Sequence, residues 1–345
     1  MNVLTARLMS PLLALFLTTL LAACGEDPVL PPAKPLSAPA AAIDALYGAQ
    51  PGEHEVRIAR DLVLPETALR RELTFNLVYP AHGGDYPLLV FSHGNFSSKD
   101  SYDRVIEHLV SHGYAVIAPN HLDCCSMVGG IVASLRLGQY GQIEARQQDV
   151  IALLDALTEI DSLAPAFAGK YDIDKLAMAG HSFGAFSAQQ FGGAAAYNPD
   201  QEAYIDAFDA RVKAIFALSP PGPMFDTITA DSWTQLRLPT LVTTGTWDVQ
   251  KGFWTDYRMH LMSHDRSPAG DKYALVIDGA DHYLGNLICR PEREAEPQHD
   301  ALRMVNAMGV AFLDAYLKNL PLAWAALQKD RMAEVSDGFA RLDRR

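Results

Sequence analysis

The sequence predicts an α/β domain with a mainly parallel central sheet and helices on both faces. From about residue 54, short apolar runs alternate with longer amphipathic stretches, the pattern of strands joined by crossover helices. Some of the short runs are apolar almost throughout, as strands buried on both faces must be. Neither an internal repeat nor a Pro-rich linker interrupts residues 54–319, so one domain accounts for them.

In chain order, residues 71–79 (RELTFNLVY) and 86–92 (YPLLVFS) read as strands. Residues 98–113 place Tyr102, Val105, Ile106, Leu109 and Val110 at helical spacing and stop at Gly113. A strand follows at 114–119, then a long helix at 142–160 with Val150, Leu154 and Leu157 on one face. Residues 175–179 (KLAMA) form a strand that leads into a helix over 184–191. Further strands are expected at 212–218, 239–244 and 273–277, and a last strong helix at 300–318 repeats apolar residues at Val305, Met308, Phe312 and Ala315. Segments 122–141 and 194–211 read as insertions over the site, and 320–345 as a peripheral helix and tail.

A chain that is 49% hydrophobic and 20% charged is neither disordered nor fibrous. Its formal net charge of −13 opposes binding to a phosphate backbone, so nucleic acid is not an expected partner. The four cysteines, Cys24, Cys124, Cys125 and Cys289, include no CxxC pair, and no metal or cofactor is expected. Arg7 is the only charge before Cys24, and residues 8–23 are an apolar run shorter than the roughly 20 residues of a membrane span. Residues 1–23 therefore have the form of an export signal, and the five prolines in 25–40 favour an extended tether within 24–53. The sequence Leu21-Ala22-Ala23-Cys24 resembles the lipobox of bacterial lipoproteins. That resemblance implies an acylated Cys24, attachment to a membrane through the lipid, and a place on the bacterial cell envelope.

Ligands of open parallel sheets gather at the carboxyl ends of the strands. Directly after KLAMA stands Gly180-His181-Ser182-Phe183-Gly184, a GxSxG turn between strand and helix that would push the Ser182 hydroxyl into the open. A hydroxyl needs a base, and the base an orienting acid. Asp248 follows the strand at 239–244 and His282 follows the strand at 273–277, giving the chain order Ser, Asp, His. Asp248 could instead cap a helix, Asp278 is a rival acid, and Asp281 is poorly placed beside His282. His260, His264 and His299 lie in or next to expected helices, and His181 has a packing role. For the oxyanion hole, the backbone amides of Phe183 and of Asn95, in the loop Ser92-His93-Gly94-Asn95-Phe96, are the candidate donors.

Together GHSFG, FSHGN, GTWD and GADH resemble the α/β-hydrolase superfamily. The HG turn with GHSFG is similar to platelet-activating-factor acetylhydrolase and dienelactone-hydrolase-like esterases, although Ser182 stands where dienelactone hydrolase has cysteine. The resemblance implies Ser182 as nucleophile, Asp248 as acid, His282 as base, and Asn95 and Phe183 as oxyanion donors. It implies a cofactor-free serine esterase acting on small-molecule, lipid or polyester esters. Amide hydrolysis or acyl transfer on the same residues, and a non-catalytic envelope lipoprotein, are the alternatives. Phe96, Trp247 and Trp254 are candidate substrate-binding aromatics. In an oxidising compartment Cys124 or Cys125, with Cys125 as the candidate, would bridge to Cys289 and brace the histidine loop. His121 and Asp123 lack the two further ligands that zinc would need.

Overall fold

In the computed structural model, which describes residues 30–65 and 69–345, nine strands form one sheet and a separate hairpin stands beside it. The strands are β1 (Val56–Leu64), β2 (Leu73–Pro80), β3 (Tyr86–Ser92), β4 (Ala115–Pro119), β5 (Tyr171–His181), β6 (Ala196–Asn198), β7 (Ala203–Ile205), β8 (Val212–Leu218), β9 (Thr240–Trp247), β10 (Lys272–Asp281) and β11 (Ala340–Arg344). The helices are α1 (Ala40–Asp44), α2 (Asp103–Ser111), α3 (Met127–Asp155), α4 (Leu157–Leu163), α5 (Phe183–Gln190), α6 (Met262–Arg266), α7 (His299–Lys318), α8 (Pro321–Ala326) and α9 (Lys329–Val335). The signal segment and Cys24 lie outside the described residues.

The sheet order is β1-β2-β4-β3-β5-β8-β9-β10-β11. Six neighbouring strands from β4 to β10 run parallel, and antiparallel pairs close both edges. This is the α/β-hydrolase topology. The unbroken apolar run of β3 follows from a period of two with both faces covered. Leu88 and Val90 pack with Val150, Leu153 and Leu154 of α3 and with Ala185 and Ala188 of α5. Leu89 and Phe91 face the other way, into a core with α2 and α7.

Three elements differ from the sequence expectation. The edge strand β1 carries Arg57, Arg60 and Asp61 and changes register between Ala59 and Leu62, so its alternation is masked. Helix α3 begins at Met127, inside the segment expected as an insertion, and Gly138 breaks it with φ 69° and ψ 177°. The glycines at 129, 130, 138 and 141 had hidden its first half. The segment 320–345 ends in a ninth sheet strand, β11, whose Ala340 and Leu342 are fully buried, where only a helix and tail were expected.

Candidate active site

Strand β5 ends at His181 and α5 starts at Phe183, leaving Ser182 between them at φ 54°, ψ −124°. A positive φ is costly for a residue with a side chain. Here the backbone is fixed from both sides: the Ser182 amide donates to the Leu218 carbonyl on β8 at 2.9 Å, and the Ser182 carbonyl accepts from Ala185. The flanking glycines are required by approach distance. A Cβ on Gly184 would stand 2.0 Å from the Ser92 carbonyl oxygen, and one on Gly180 would stand 2.4 Å from the Gly184 oxygen.

Asp248 follows β9 and is fully buried. Its Oδ1 accepts from His282 Nδ1 at 2.7 Å, and its Oδ2 accepts from the Thr244 hydroxyl at 2.8 Å. A third group was not anticipated: His260 Nε2 lies 3.0 Å from the same Oδ1. Burial works against the charge on Asp248, but His260 and His282 together hold its carboxyl well below the ordinary range. Asp281 faces away from this group. Its carboxylate accepts from the Tyr283 and Gly285 amides and pairs with Arg293, fixing the loop that carries His282.

Among the described residues, Asp248, His260 and His282 are the one group of such side chains whose ligand atoms all lie within 4.8 Å of one another. The carboxylate already serves both rings, which accounts for the cluster without an ion.

The loop after β3 turns at Gly94, with Asn95 and Phe96 at its tip and Phe96 at φ 60°. Arg290 was not foreseen from the sequence. Its fork donates to the carbonyls of Asn95 (3.0 Å) and Phe96 (2.9 Å), which fixes the tip of this loop. As the first N–H of α5, the Phe183 amide has no partner within its own helix.

A buried polar network backs this loop. Arg146 on α3 makes a two-pronged bond to Asp123 and donates to the His93 carbonyl at 2.7 Å. Burial alone would raise the Asp123 carboxyl, but the charge and hydrogen bonds of Arg146 bring it down to about 2. Ser92 Oγ lies 2.7 Å from His121 Nε2, and His121 Nδ1 lies 2.9 Å from Asp149 Oδ2. These are the residue types of a catalytic relay, yet none of the three lines the site cavity. Burial pushes the Asp149 carboxyl up to about 7 against the pull of Arg71 and Arg146.

Ser182 and His282 open on one cavity of about 300 Å³, together with Asn95, Phe96, Phe183 and Trp254. Trp254 also packs over both histidine rings, with centroids 5.0 Å from His260 and 6.0 Å from His282. Trp247 is elsewhere, which corrects its expected place in substrate binding: its indole donates to the Pro31 carbonyl at 2.7 Å. The first half of α3 reaches the rim through Met127 and exposes Val128, Val132 and Leu135.

The expected Cys125–Cys289 bridge is also corrected. Cys124 pairs with Cys125, and Cys289 is a free, buried thiol. Cys289 is enclosed near Gly94 and Tyr102, whereas Cys125 lies on the surface at the start of α3.

A family model described as Chlorophyllase matches residues 52–198, less than half of the chain. Among curated proteins the chain is similar to "Chlorophyllase-1, chloroplastic" of Citrus unshiu and of Citrus sinensis, each 40% identical over 43 residues. That stretch is 12% of this chain and covers 13% of either relative's length. The family match includes the loop after β3 and the Ser182 elbow and stops before Asp248 and His282.

These findings overturn two expectations. The similarity is to chlorophyllase, not to platelet-activating-factor acetylhydrolase or dienelactone-hydrolase-like enzymes; an HG turn and GHSFG belong to the catalytic edge of the fold and do not separate its families. The relatives are chloroplastic by name, which contradicts a bacterial lipoprotein held at the membrane by lipid on Cys24, in the envelope or periplasm. A four-residue lipobox is too short a pattern to carry that reading. No helix among the described residues is long and apolar enough to cross a membrane.

Proposed function

We propose that the chain is a serine hydrolase of carboxylic esters, with Ser182 as nucleophile, His282 as base and Asp248 as orienting acid. The observation that carries this is the 2.7 Å bond from His282 Nδ1 to Asp248, made while His282 shares a cavity with Ser182 at the elbow. With Nδ1 engaged, Nε2 is the nitrogen left to take the serine proton. The Ser182 oxygen attacks the ester carbonyl, and the amides of Asn95 and Phe183 hold the resulting oxyanion. His282 then passes the proton to the departing alcohol, and water activated by the same ring releases the acid from Ser182. Similarity to proteins named chlorophyllase supports ester hydrolysis and puts chlorophyll among the esters to test.

A fluorophosphonate probe followed by peptide mapping tests the reading. Label is expected on Ser182, and Ser182→Ala is expected to lose both the label and at least about 1,000-fold in hydrolysis of nitrophenyl esters. Label on another residue, or an active Ser182→Ala, would refute it.

A further inference from the structure

We propose that His260 is a positioning residue for ester hydrolysis: a buried imidazolium that keeps Asp248 ionised and aimed, and so sets how readily His282 accepts a proton. The proposal rests on the triad reading above.

The protonation of His260 follows from its two contacts. Its Nδ1 lies 2.7 Å from the Pro220 carbonyl oxygen, which can only accept, so Nδ1 carries a hydrogen. Its Nε2 lies 3.0 Å from Asp248 Oδ1, and both residues are fully buried. A neutral ring protonated on Nδ1 would turn a lone pair on Nε2 toward a carboxylate oxygen, a repulsion that the low dielectric of the site makes stronger. A second proton on Nε2 turns that repulsion into an ion pair. The contact is off the hydrogen-bond line, since Nε2 has no aligned partner; attraction between charges tolerates this better than a hydrogen bond does.

The titratable groups around the ring agree. Asp248 faces it from the end of β9. His282 approaches from the loop after β10, with ring centroids 5.5 Å apart. His181 stands behind His282 at the elbow, 4.7 Å between their centroids. Burial holds His181 well below the ordinary imidazole value and so neutral; its Nε2 donates to the His282 carbonyl, which leaves Nδ1 to accept from the Tyr102 hydroxyl. Burial opposes a charge on His260, yet Asp248 raises its affinity for the proton above the ordinary value.

The consequence falls on His282. Paired with a cation, Asp248 presents a weaker negative field to His282 than a lone carboxylate would. The charge on His260 therefore bears on the pH range over which Ser182 reacts. His260→Gln keeps a polar side chain but removes the charge, so the acid limb of the reaction at Ser182 should move to higher pH.

Two measurements on the full-length protein test this. With histidine labelled by 15N, both ring nitrogens of His260 should be protonated at pH 7.5; a single protonated nitrogen overturns the proposal, and this needs no variant. The rate of fluorophosphonate labelling at Ser182, followed against pH, should show its acid limb about one pH unit higher in His260→Gln than in wild type. An unchanged limb also overturns the proposal, because a purely structural role would slow labelling without moving it. If wild-type Ser182 takes no label at any pH, the triad reading fails, and the ring measurement still decides the charge on His260.

Discussion

His181 Nε2 donates a 2.8 Å hydrogen bond to the backbone carbonyl of His282, so the residue before the proposed nucleophile holds the residue proposed as base. The line continues through His181 Nδ1 to the Tyr102 hydroxyl at 3.1 Å, and that hydroxyl accepts from the Gly94 amide at 2.8 Å. One file of three hydrogen bonds thus ties the loop after β3, the elbow and the His282 loop together.

Tyr102→Phe should cut this file in the middle and leave the Gly94 amide and His181 Nδ1 unpaired in the core. A loss of about 1–3 kcal/mol is expected, read from urea midpoints, with kcat falling more than KM rises. Wild-type stability and kcat would show that the file is incidental.

Arg146 is paired with Asp123 and bonded to the loop carbonyl of His93. Arg146→Met should leave a buried carboxylate uncompensated and cost about 3–5 kcal/mol. The same pair fixes a pH dependence. The folded-state Asp123 carboxyl lies near 2, below its unfolded value of about 3.9. Its stabilisation is therefore complete above pH 4 and is lost as pH falls toward 2. Denaturant melts at pH 5 and pH 2.5 should show Asp123→Asn losing less stability on acidification than wild type. An equal loss in both would contradict the assignment.

Gly184→Ala puts a carbon 2.0 Å from the Ser92 carbonyl oxygen, and that atom is backbone of β3, unable to turn aside. The variant should lose fluorophosphonate labelling and melt well below wild type. Ser92→Ala, which breaks the buried Ser92–His121–Asp149 file, should keep its label on Ser182. If it abolished labelling by removing the labelled residue itself, the roles of the two serines would have been exchanged.

Peptide mapping without reductant should return Cys124 and Cys125 linked within one peptide and Cys289 as a free thiol. A peptide containing Cys289 joined to Cys125 would restore the bridge expected from sequence.

The elbow and the strand ends were legible because their signal is local: GxSxG between an apolar run and a helix, and acid and histidine directly after later strands. His260 was not legible. It sits in a short 3-10 turn (Tyr257–Leu261), a dozen residues after Asp248, with nothing in the sequence to aim it back. Arg290 and Arg146 were missed for the same reason, since each reaches a carbonyl of a loop remote in sequence. Trp247 and Trp254 flank one loop and looked equivalent; only the turn between them sends one ring to the cavity and the other to Pro31.

Strand β11 pairs with β10 from Tyr273↔Arg344 to Ile277↔Ala340, and β10 leads straight into His282. Residues 340–344 leave the ribosome after every other strand of the sheet. A growing chain therefore has the Ser182 elbow, its Leu218 partner on β8 and the whole of β10 outside the ribosome before β10 can gain its outer neighbour. On the proposed reading, the strand leading into the base would be the last part of the site to be braced, with the edge of the sheet.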